Sequence, residues 1–327
     1  MSKIYAIILA LYVLLSAGVA EGTLVTTIYG PFEVTFYGSS DNDALFTGAQ
    51  NWTQQQMDDV GSAIAAWTSG IENTPGRNIK IDLFWNEMDS YGHNVLGGSA
   101  NYRAADGQTQ YNLAEYIWRE GDDPGTTSYG FDAVILLDTT AAGLSWNFGQ
   151  TAPDLQEIDF RSVITHELGH SLGWSSTYDP DYDDWGWFVG GYEGITEWDK
   201  NLVDSEGSKP VNGGSGNFNA EDNPVYWDGE NAVAYYGGPV PIYAPDPYRQ
   251  GSSLSHLDYP AFAGLLMSPY AQPGLATRSV SPLEWAMMMD MGWDISENAV
   301  PEPATAAILI IGTGCLLLHP RKAGNRA

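Results

Sequence analysis

The segment around His166 constrains the fold most, because it predicts both a helix and the side that must face a ligand. Residues 160–174 read Phe-Arg-Ser-Val-Ile-Thr-His-Glu-Leu-Gly-His-Ser-Leu-Gly-Trp. His166 and His170 are four positions apart, so on a helix both imidazoles leave one face and can bind one cation. The apolar side chains that would hold this helix against a sheet are Val163, Ile164, Leu168 and Leu172.

The residue types in this segment predict zinc and hydrolysis. Imidazole suits zinc, and a catalytic zinc site takes three protein ligands plus water. Glu167 adjoins the first histidine, where its carboxylate can take a proton from water at the metal. The sequence therefore predicts a zinc-dependent endopeptidase. The alternative is an inactive zinc-bearing surface or adhesion protein, which would have no need of Glu167. Hydrolysis of a non-peptide amide also stays open.

The third metal ligand does not follow from the helix spacing. Gly173 follows His170 by three positions, which indicates that the helix ends in a glycine turn. This is the start of the metzincin pattern, His-Glu-x-x-His-x-x-Gly-x-x-His/Asp. The third ligand of that pattern would fall at Ser176, which cannot serve.

Other positions must then supply the third ligand. A gluzincin site would use a downstream glutamate, for which Glu193 and Glu197 are available. Among the remaining histidines, His319 lies in the C-terminal tail and His93 in an expected turn. Elimination favours His256, although the glutamates stay open at this point.

Around His256 the sequence resembles the leishmanolysin-type branch of the metzincins. His256 stands in Ser-Leu-Ser-His-Leu-Asp-Tyr-Pro, and Met267 follows in Leu-Leu-Met-Ser-Pro-Tyr. In that branch a long insertion follows the glycine turn, and a Met-turn follows the third histidine. Residues 228–236 and 281–293 resemble its segment before the third histidine and its closing helix. The insertion length and Leu257, where an aromatic is common, depart from the branch.

The resemblance assigns roles to individual residues. It implies zinc ligands at His166, His170 and His256, with Glu167 as the catalytic base. Met267 would pack under the metal without binding it. Tyr270 is the candidate for stabilising an oxyanion, with a surface or core tyrosine as the alternative reading.

The apolar patterns predict an α+β protein. Strands are expected at 33–37, 78–85, 94–100 and 131–138, and helices at 52–71, 111–120 and 282–291. With the resemblance, this implies a two-lobed, metzincin-like catalytic domain. An upper lobe, 21–174, would hold a mixed five-stranded sheet and two helices. An irregular lower lobe, 175–299, would carry the third ligand and the Met-turn and be closed by the last helix.

An acidic loop offers a second cation site. Asp179, Asp181 and Asp183 alternate along the chain and supply the oxygen ligands that calcium prefers. The loop lacks the glycine and glutamate of an EF-hand, so a solvated acidic loop is the alternative.

Both ends of the chain have the composition of targeting segments. Residues 1–20 combine Lys3, an apolar run from Ile4 to Leu15 and small residues at Gly18 and Ala20, which predicts a secretory signal. Residues 300–327 hold a Pro-Glu-Pro box, an uncharged stretch at 304–318 and a basic end. That stretch would reach about 22 Å as a helix, short of a bilayer's roughly 30 Å.

The tail resembles the PEP-CTERM sorting signal of Gram-negative bacteria. The resemblance implies a bacterial protein, exported to the cell surface or medium, transiently anchored by the short transmembrane helix and processed by an exosortase. A weak hydrophobic tail or a single anchor is the alternative.

Composition limits the classes of molecule that we expect the protein to bind. The 41 acidic and 13 basic residues leave a net charge of −28, which repels phosphates and argues against nucleic acid. The single cysteine, Cys315, lies in the tail, so the body must be held by a core rather than by disulfides. We expect a monomer that binds peptide or protein substrates.

Overall fold

The computed structural model describes residues 24–39, 41, 49–88, 94–101, 103–106, 109–121, 130–179, 184–185, 194–209 and 224–300. The predicted signal segment and the predicted tail beyond Val300 lie outside these residues, as do His93, Glu193, Asp181 and Asp183. The side chain of Asp179 is not described either. The described chain combines helices with a mixed sheet, which confirms the predicted α+β class.

The elements are numbered in chain order. The described helices are α1 (Gln54–Thr68), α2 (Leu113–Glu120), α3 (Phe160–Ser171), α4 (Glu230–Tyr236) and α5 (Pro282–Asp290). The first strands are β1 (Val25–Tyr29), β2 (Phe32–Tyr37), β3 (Ile79–Asn86), β4 (Gly97–Asn101), β5 (Arg103–Asp106), β6 (Thr109–Asn112) and β7 (Ala133–Asp138). The later strands are β8 (Ser145–Asn147), β9 (Glu157–Asp159), β10 (Tyr178–Asp179), β11 (Asp184–Trp185), β12 (Ile195–Thr196), β13 (Leu202–Val203), β14 (Val225–Trp227) and β15 (Val240–Ile242).

The central sheet has five strands in the order β1-β2-β3-β7-β4. β2, β3 and β7 run parallel, whereas the outer strands β1 and β4 run antiparallel to their neighbours. β7 is buried along its whole length, as expected for an apolar strand near the middle of a mixed sheet. The glycine-rich β4 forms one edge of the sheet. The strand β1 was not among the sequence predictions.

The helices pack on this sheet and on each other. Thr53 and Gln56 form a reciprocal capping box that starts α1. Along α1, Ile64 and Trp67 are buried, and the Trp67 indole donates to the Thr165 carbonyl at 2.8 Å. This contact fixes α1 against α3, the helix that carries the His-Glu-x-x-His motif.

Both ends of α3 are set by local chemistry. At its start the Asp159 carboxylate accepts from the Ser162 amide at 2.9 Å and pairs with Arg278. After its end, Gly173 adopts φ +113°, a backbone conformation that favours glycine. The predicted glycine turn is therefore present, and it directs the chain away immediately after His170.

The second half of the chain contributes to the same core cluster as the first half. Three of its buried tryptophans, Trp174, Trp198 and Trp227, contact one another in series with tilted rings, whose centroids lie 4.8 and 4.5 Å apart. β13, β14 and β15 form a three-stranded sheet that the sequence did not predict. α5 follows the prediction closely and packs against α4.

Among the described residues, none of the helices has the length and apolar character needed to cross a membrane.

Candidate metal centre

Three histidine side chains meet at one point. The Nε2 atoms of His166, His170 and His256 lie 3.0–3.1 Å from one another. Nitrogen atoms at such separations can all lie about 2.0–2.1 Å from one tetrahedral zinc ion. Within the described part of the chain, these residues form the one cluster able to hold a metal.

Each imidazole is held by a backbone carbonyl on its other nitrogen. Nδ1 of His166 donates to Leu266 at 2.7 Å, that of His170 to Trp174 at 2.5 Å, and that of His256 to Ser252 at 2.8 Å. A carbonyl oxygen only accepts, so every Nδ1 carries the proton and every neutral Nε2 presents a lone pair. Three lone pairs directed at one point repel each other unless a cation lies between them. The donor set therefore fits a metal ion.

Electrostatics keep these rings neutral. Burial lowers the pKa of His166, lowers that of His170 to about 3 and lowers that of His256 well below its ordinary value. The neighbouring imidazoles add to the effect at His170 and His256. A proton is thus a poor occupant of the centre near neutral pH, and neutral imidazole is the form that ligates metals.

Neither Glu197 nor Ser176 joins the histidine cluster. Glu197 accepts from Lys200 at 2.9 Å and from the Tyr111 hydroxyl at 3.2 Å, outside the histidine cluster. Ser176 lines the same cavity but donates its amide to Ser255, and its hydroxyl accepts from the Tyr178 amide. Glu193 and His93 lie outside the described residues.

Glu167 faces the edge strand β4. Its carboxylate is buried, and a Cβ atom built on Gly97 would lie only 2.8 Å from its Oε1. The lack of a side chain at Gly97 is thus what lets the carboxylate reach the cavity. Burial raises the pKa of Glu167 to about 8, and a cation on the adjacent imidazoles would lower it again. No sequence pattern predicts this role of Gly97.

Met267 lies directly against the zinc-motif helix. It is fully buried, and a Cβ atom on Gly169 would lie 2.7 Å from its sulfur atom. Gly169 immediately precedes His170, so the methionine packs beneath the backbone of the motif.

Tyr270 lines the cavity and is 39% exposed. Its hydroxyl lies 2.5 Å from that of Tyr243, a buried residue whose pKa is raised by burial and by this hydrogen bond. The structure thus places Tyr270 in the cavity wall and gives it a partner that the sequence did not indicate.

The cavity has a volume of about 970 Å³. Its wall combines apolar side chains, among them Val163, Leu265 and Leu266, with polar ones, among them Asn101, Ser162 and Arg249. A ligand in the cavity can therefore make both apolar and polar contacts.

Polar side chains hydrogen-bond the backbone at His170 and pack under the turn that follows it. The Asn112 amide donates to the His170 carbonyl at 2.6 Å, and Asn101 donates to the same oxygen at 3.4 Å. Below them, the Glu115 carboxylate pairs with Arg119 at 3.2 Å and lies under the glycine turn. A Cβ atom on Gly173 would be 2.9 Å from this carboxylate.

The buried Glu115 should make stability depend on pH. Burial raises the pKa of Glu115 from 4.5 to about 7. Below pH 4.5 the group is protonated in both the folded and the unfolded chain, so its charge costs nothing. Between pH 4.5 and about 7 the unfolded chain ionises while the folded chain keeps the proton, so stability falls with pH. Above pH 7 the folded chain holds a buried charge and the loss is complete. We expect Glu115→Gln to gain stability relative to the parent over this range, by about 3 kcal/mol at about 1.4 kcal/mol per pKa unit.

Denaturant unfolding of both proteins at pH 4.5 and pH 8 measures this difference. Glu120→Gln, at an exposed position on the same helix, is the control and should show no such gain. A parent and a Glu115→Gln variant whose stabilities run parallel with pH would contradict the prediction.

Fold and site together define an α+β protein with a three-histidine cluster in an open cavity, half-buried at His166 and His170 and buried at His256. Comparison with family models, with curated proteins and with solved structures finds no match for this chain.

Proposed function

We propose that this protein is a zinc-dependent endopeptidase. The observation that carries the proposal is the convergence of three deprotonated Nε2 atoms beside a buried glutamate, in a cavity open to substrate. A zinc site with a purely structural role usually has four protein ligands and is closed. Three histidines at a cavity wall, with Glu167 next to them, favour catalysis over an inactive surface protein.

The chain's own residues divide the chemistry between them. When bound, zinc would supply Lewis acidity that makes water a nucleophile near neutral pH and polarises a carbonyl. The three imidazoles would hold the ion, each oriented by its backbone carbonyl. Glu167 takes the proton of the attacking water and passes it to the leaving amine. The apolar surroundings that raise its pKa also make it a competent proton donor in the second step.

An extended peptide is the substrate that the cavity favours. Among the described strands β4 pairs with β7 alone, and its residues from Gly97 to Asn101 line the cavity. A peptide strand can add to such an edge through main-chain hydrogen bonds. The small side chains of β4 leave room for those of the substrate, and Tyr270 in the cavity wall is the candidate for oxyanion stabilisation.

We also propose the finer fold and the cellular setting. The order of motif helix, glycine turn, His256, Met267 and closing helix supports a two-lobed, leishmanolysin-like metzincin. Export, a surface location and exosortase processing rest on the two end segments, and calcium on the acidic loop, and the side chains on which these proposals depend lie outside the described residues.

Metal content and proteolysis of the purified protein test the proposal together. We expect about one zinc per chain and cleavage of casein that stops with a chelator and returns with zinc. Protein that holds zinc but cleaves no peptide would leave the inactive surface protein as the better reading. Protein that holds no metal would refute both.

A further inference from the structure

A single peptide group lies between His166 and a buried glutamate of the last helix. The His166 Nδ1–H donates to the carbonyl oxygen of Leu266 at 2.7 Å. The amide N–H of the same peptide group belongs to Met267, and it donates to Oε1 of Glu284 at 2.7 Å. Carboxylate, peptide and imidazole thus form one chain of hydrogen bonds that ends at the Nε2 atom of the centre.

The position of Glu284 in α5 leaves this oxygen available. Glu284 is the third residue of the helix and forms a capping box with Ser281, which engages its Oε2 through the Ser281 amide at 2.7 Å. A capping box needs only one of the two oxygens. The other reaches across to Met267, and Glu284 is 0% exposed as a result.

Both oxygens of Glu284 accept from backbone N–H groups. Hydrogen bonds from N–H donors to both oxygens favour the ionised form of the carboxylate. Burial raises the pKa of Glu284, and hydrogen bonds from the backbone of Met267, Ser281 and Leu266 oppose that rise. These backbone hydrogen bonds hold the Glu284 carboxylate in one position.

We propose that Glu284 is a positioning residue of the zinc site, acting on His166 through the Leu266–Met267 peptide. Hydrogen bonds in series polarise one another where the dielectric constant is low. The partner of a ligand histidine fixes its tautomer and raises its basicity. Here a carboxylate strengthens a carbonyl that alone would be a weaker partner. The inference rests on the proposed zinc site.

The next peptide group along the chain, between Met267 and Ser268, connects to the third histidine. The Met267 carbonyl accepts from the Leu257 amide at 3.0 Å, next to His256. Movement of the Leu266–Met267 segment would therefore disturb two of the three imidazoles together. This gives the closing helix α5 a direct connection to the centre.

Glu284→Gln tests the proposal through zinc affinity, measured by competition with a chromophoric chelator on the full chain. A glutamine side chain has the same shape but cannot accept at both atoms, and its NH2 group must face one of the two N–H donors. We expect zinc to bind about 10- to 100-fold more weakly, as for other changes behind a ligand histidine.

Ser281→Ala is the matched control. It removes the reciprocal cap of α5 but leaves the contact between Glu284 and Met267. We expect it to lower the melting temperature and to leave zinc affinity unchanged. If Ser281→Ala weakens zinc binding as much as Glu284→Gln does, Glu284 serves only the stability of the helix and the proposal fails.

The outcomes separate this inference from the proposed function. A parent protein without zinc affinity overturns both. A parent that binds zinc and cleaves peptides, with Glu284→Gln binding zinc equally well, overturns only the role of Glu284. If Glu284→Gln does not fold, the Met267 amide resonance of the parent gives the answer. Zinc should shift it downfield, and an unchanged resonance would contradict the chain of hydrogen bonds.

Discussion

Glu167→Gln should abolish peptide cleavage while the protein still binds zinc. Glu167 points into the cavity against Gly97 but is not one of the clustered histidines, so the variant removes a base and no ligand. A glutamine amide has nearly the same volume and cannot accept a proton. Loss of a general base typically lowers the rate about 10²- to 10⁴-fold. The measurement is kcat on a fluorogenic peptide, with zinc content determined on the same sample.

Glu120→Gln is the matched control for this variant. It makes the same chemical change at an exposed position and should keep both activity and zinc. A Glu167→Gln protein that cleaves peptides at a rate close to that of the parent would refute the assigned mechanism. If this variant loses zinc as well, the carboxylate has a part in holding the metal that the mechanism does not include.

The parts of the site that could be predicted from sequence are those with local signals. His166, Glu167 and His170 fall within one helical turn, and their spacing alone places them on one face. Gly173 marked the end of the helix, because few other residues adopt its backbone conformation. His256 has no such local pattern, and its prediction as a ligand depended on elimination and on the resemblance around Met267.

The groups that orient the imidazoles could not be predicted from sequence. The carbonyl groups of Leu266, Trp174 and Ser252 belong to the backbone, so no residue type predicts their role. Glu284 had a visible signal, the Ser-Pro-Leu-Glu start of a helix, but that pattern indicates only the capping role. Its contact with Met267 depends on how α5 folds back over the chain.

For the fold, long apolar patterns were informative and short strands were not. β7 carries an apolar run and β3 alternates before its apolar end, and α1 and α5 show clear starts, so the mixed sheet and these helices could be predicted. The strands β12 to β15 have two or three residues each, too few for an alternating pattern. The edge strand β4 is rich in glycine, and it owes its extended form to pairing with β7 more than to propensity.

His256→Ala should remove zinc binding and activity together, a larger loss than any variant behind the ligands gives. The His256 Nε2 lies 3.1 Å from those of His166 and His170, and its ring is buried. Two imidazoles on one helix do not complete a catalytic zinc site. We expect zinc affinity to fall more than about 100-fold, beyond the usual range for outer-shell changes. Chelator competition and cleavage of a fluorogenic peptide measure the two losses.

Glu197→Ala is the decisive comparison, because a glutamate was the rival third ligand. Glu197 pairs with Lys200 and Tyr111 outside the cluster, so its removal should leave zinc affinity unchanged. The reverse result, with zinc kept by His256→Ala and lost by Glu197→Ala, would make this a gluzincin-type site and end the leishmanolysin-like reading. Thermal unfolding of both variants should also be measured without metal. Loss of zinc identifies a ligand only in a variant that keeps the fold. If both variants fold and both keep zinc, a ligand outside the described residues must complete the site, and Glu193 and His93 become the next residues to change.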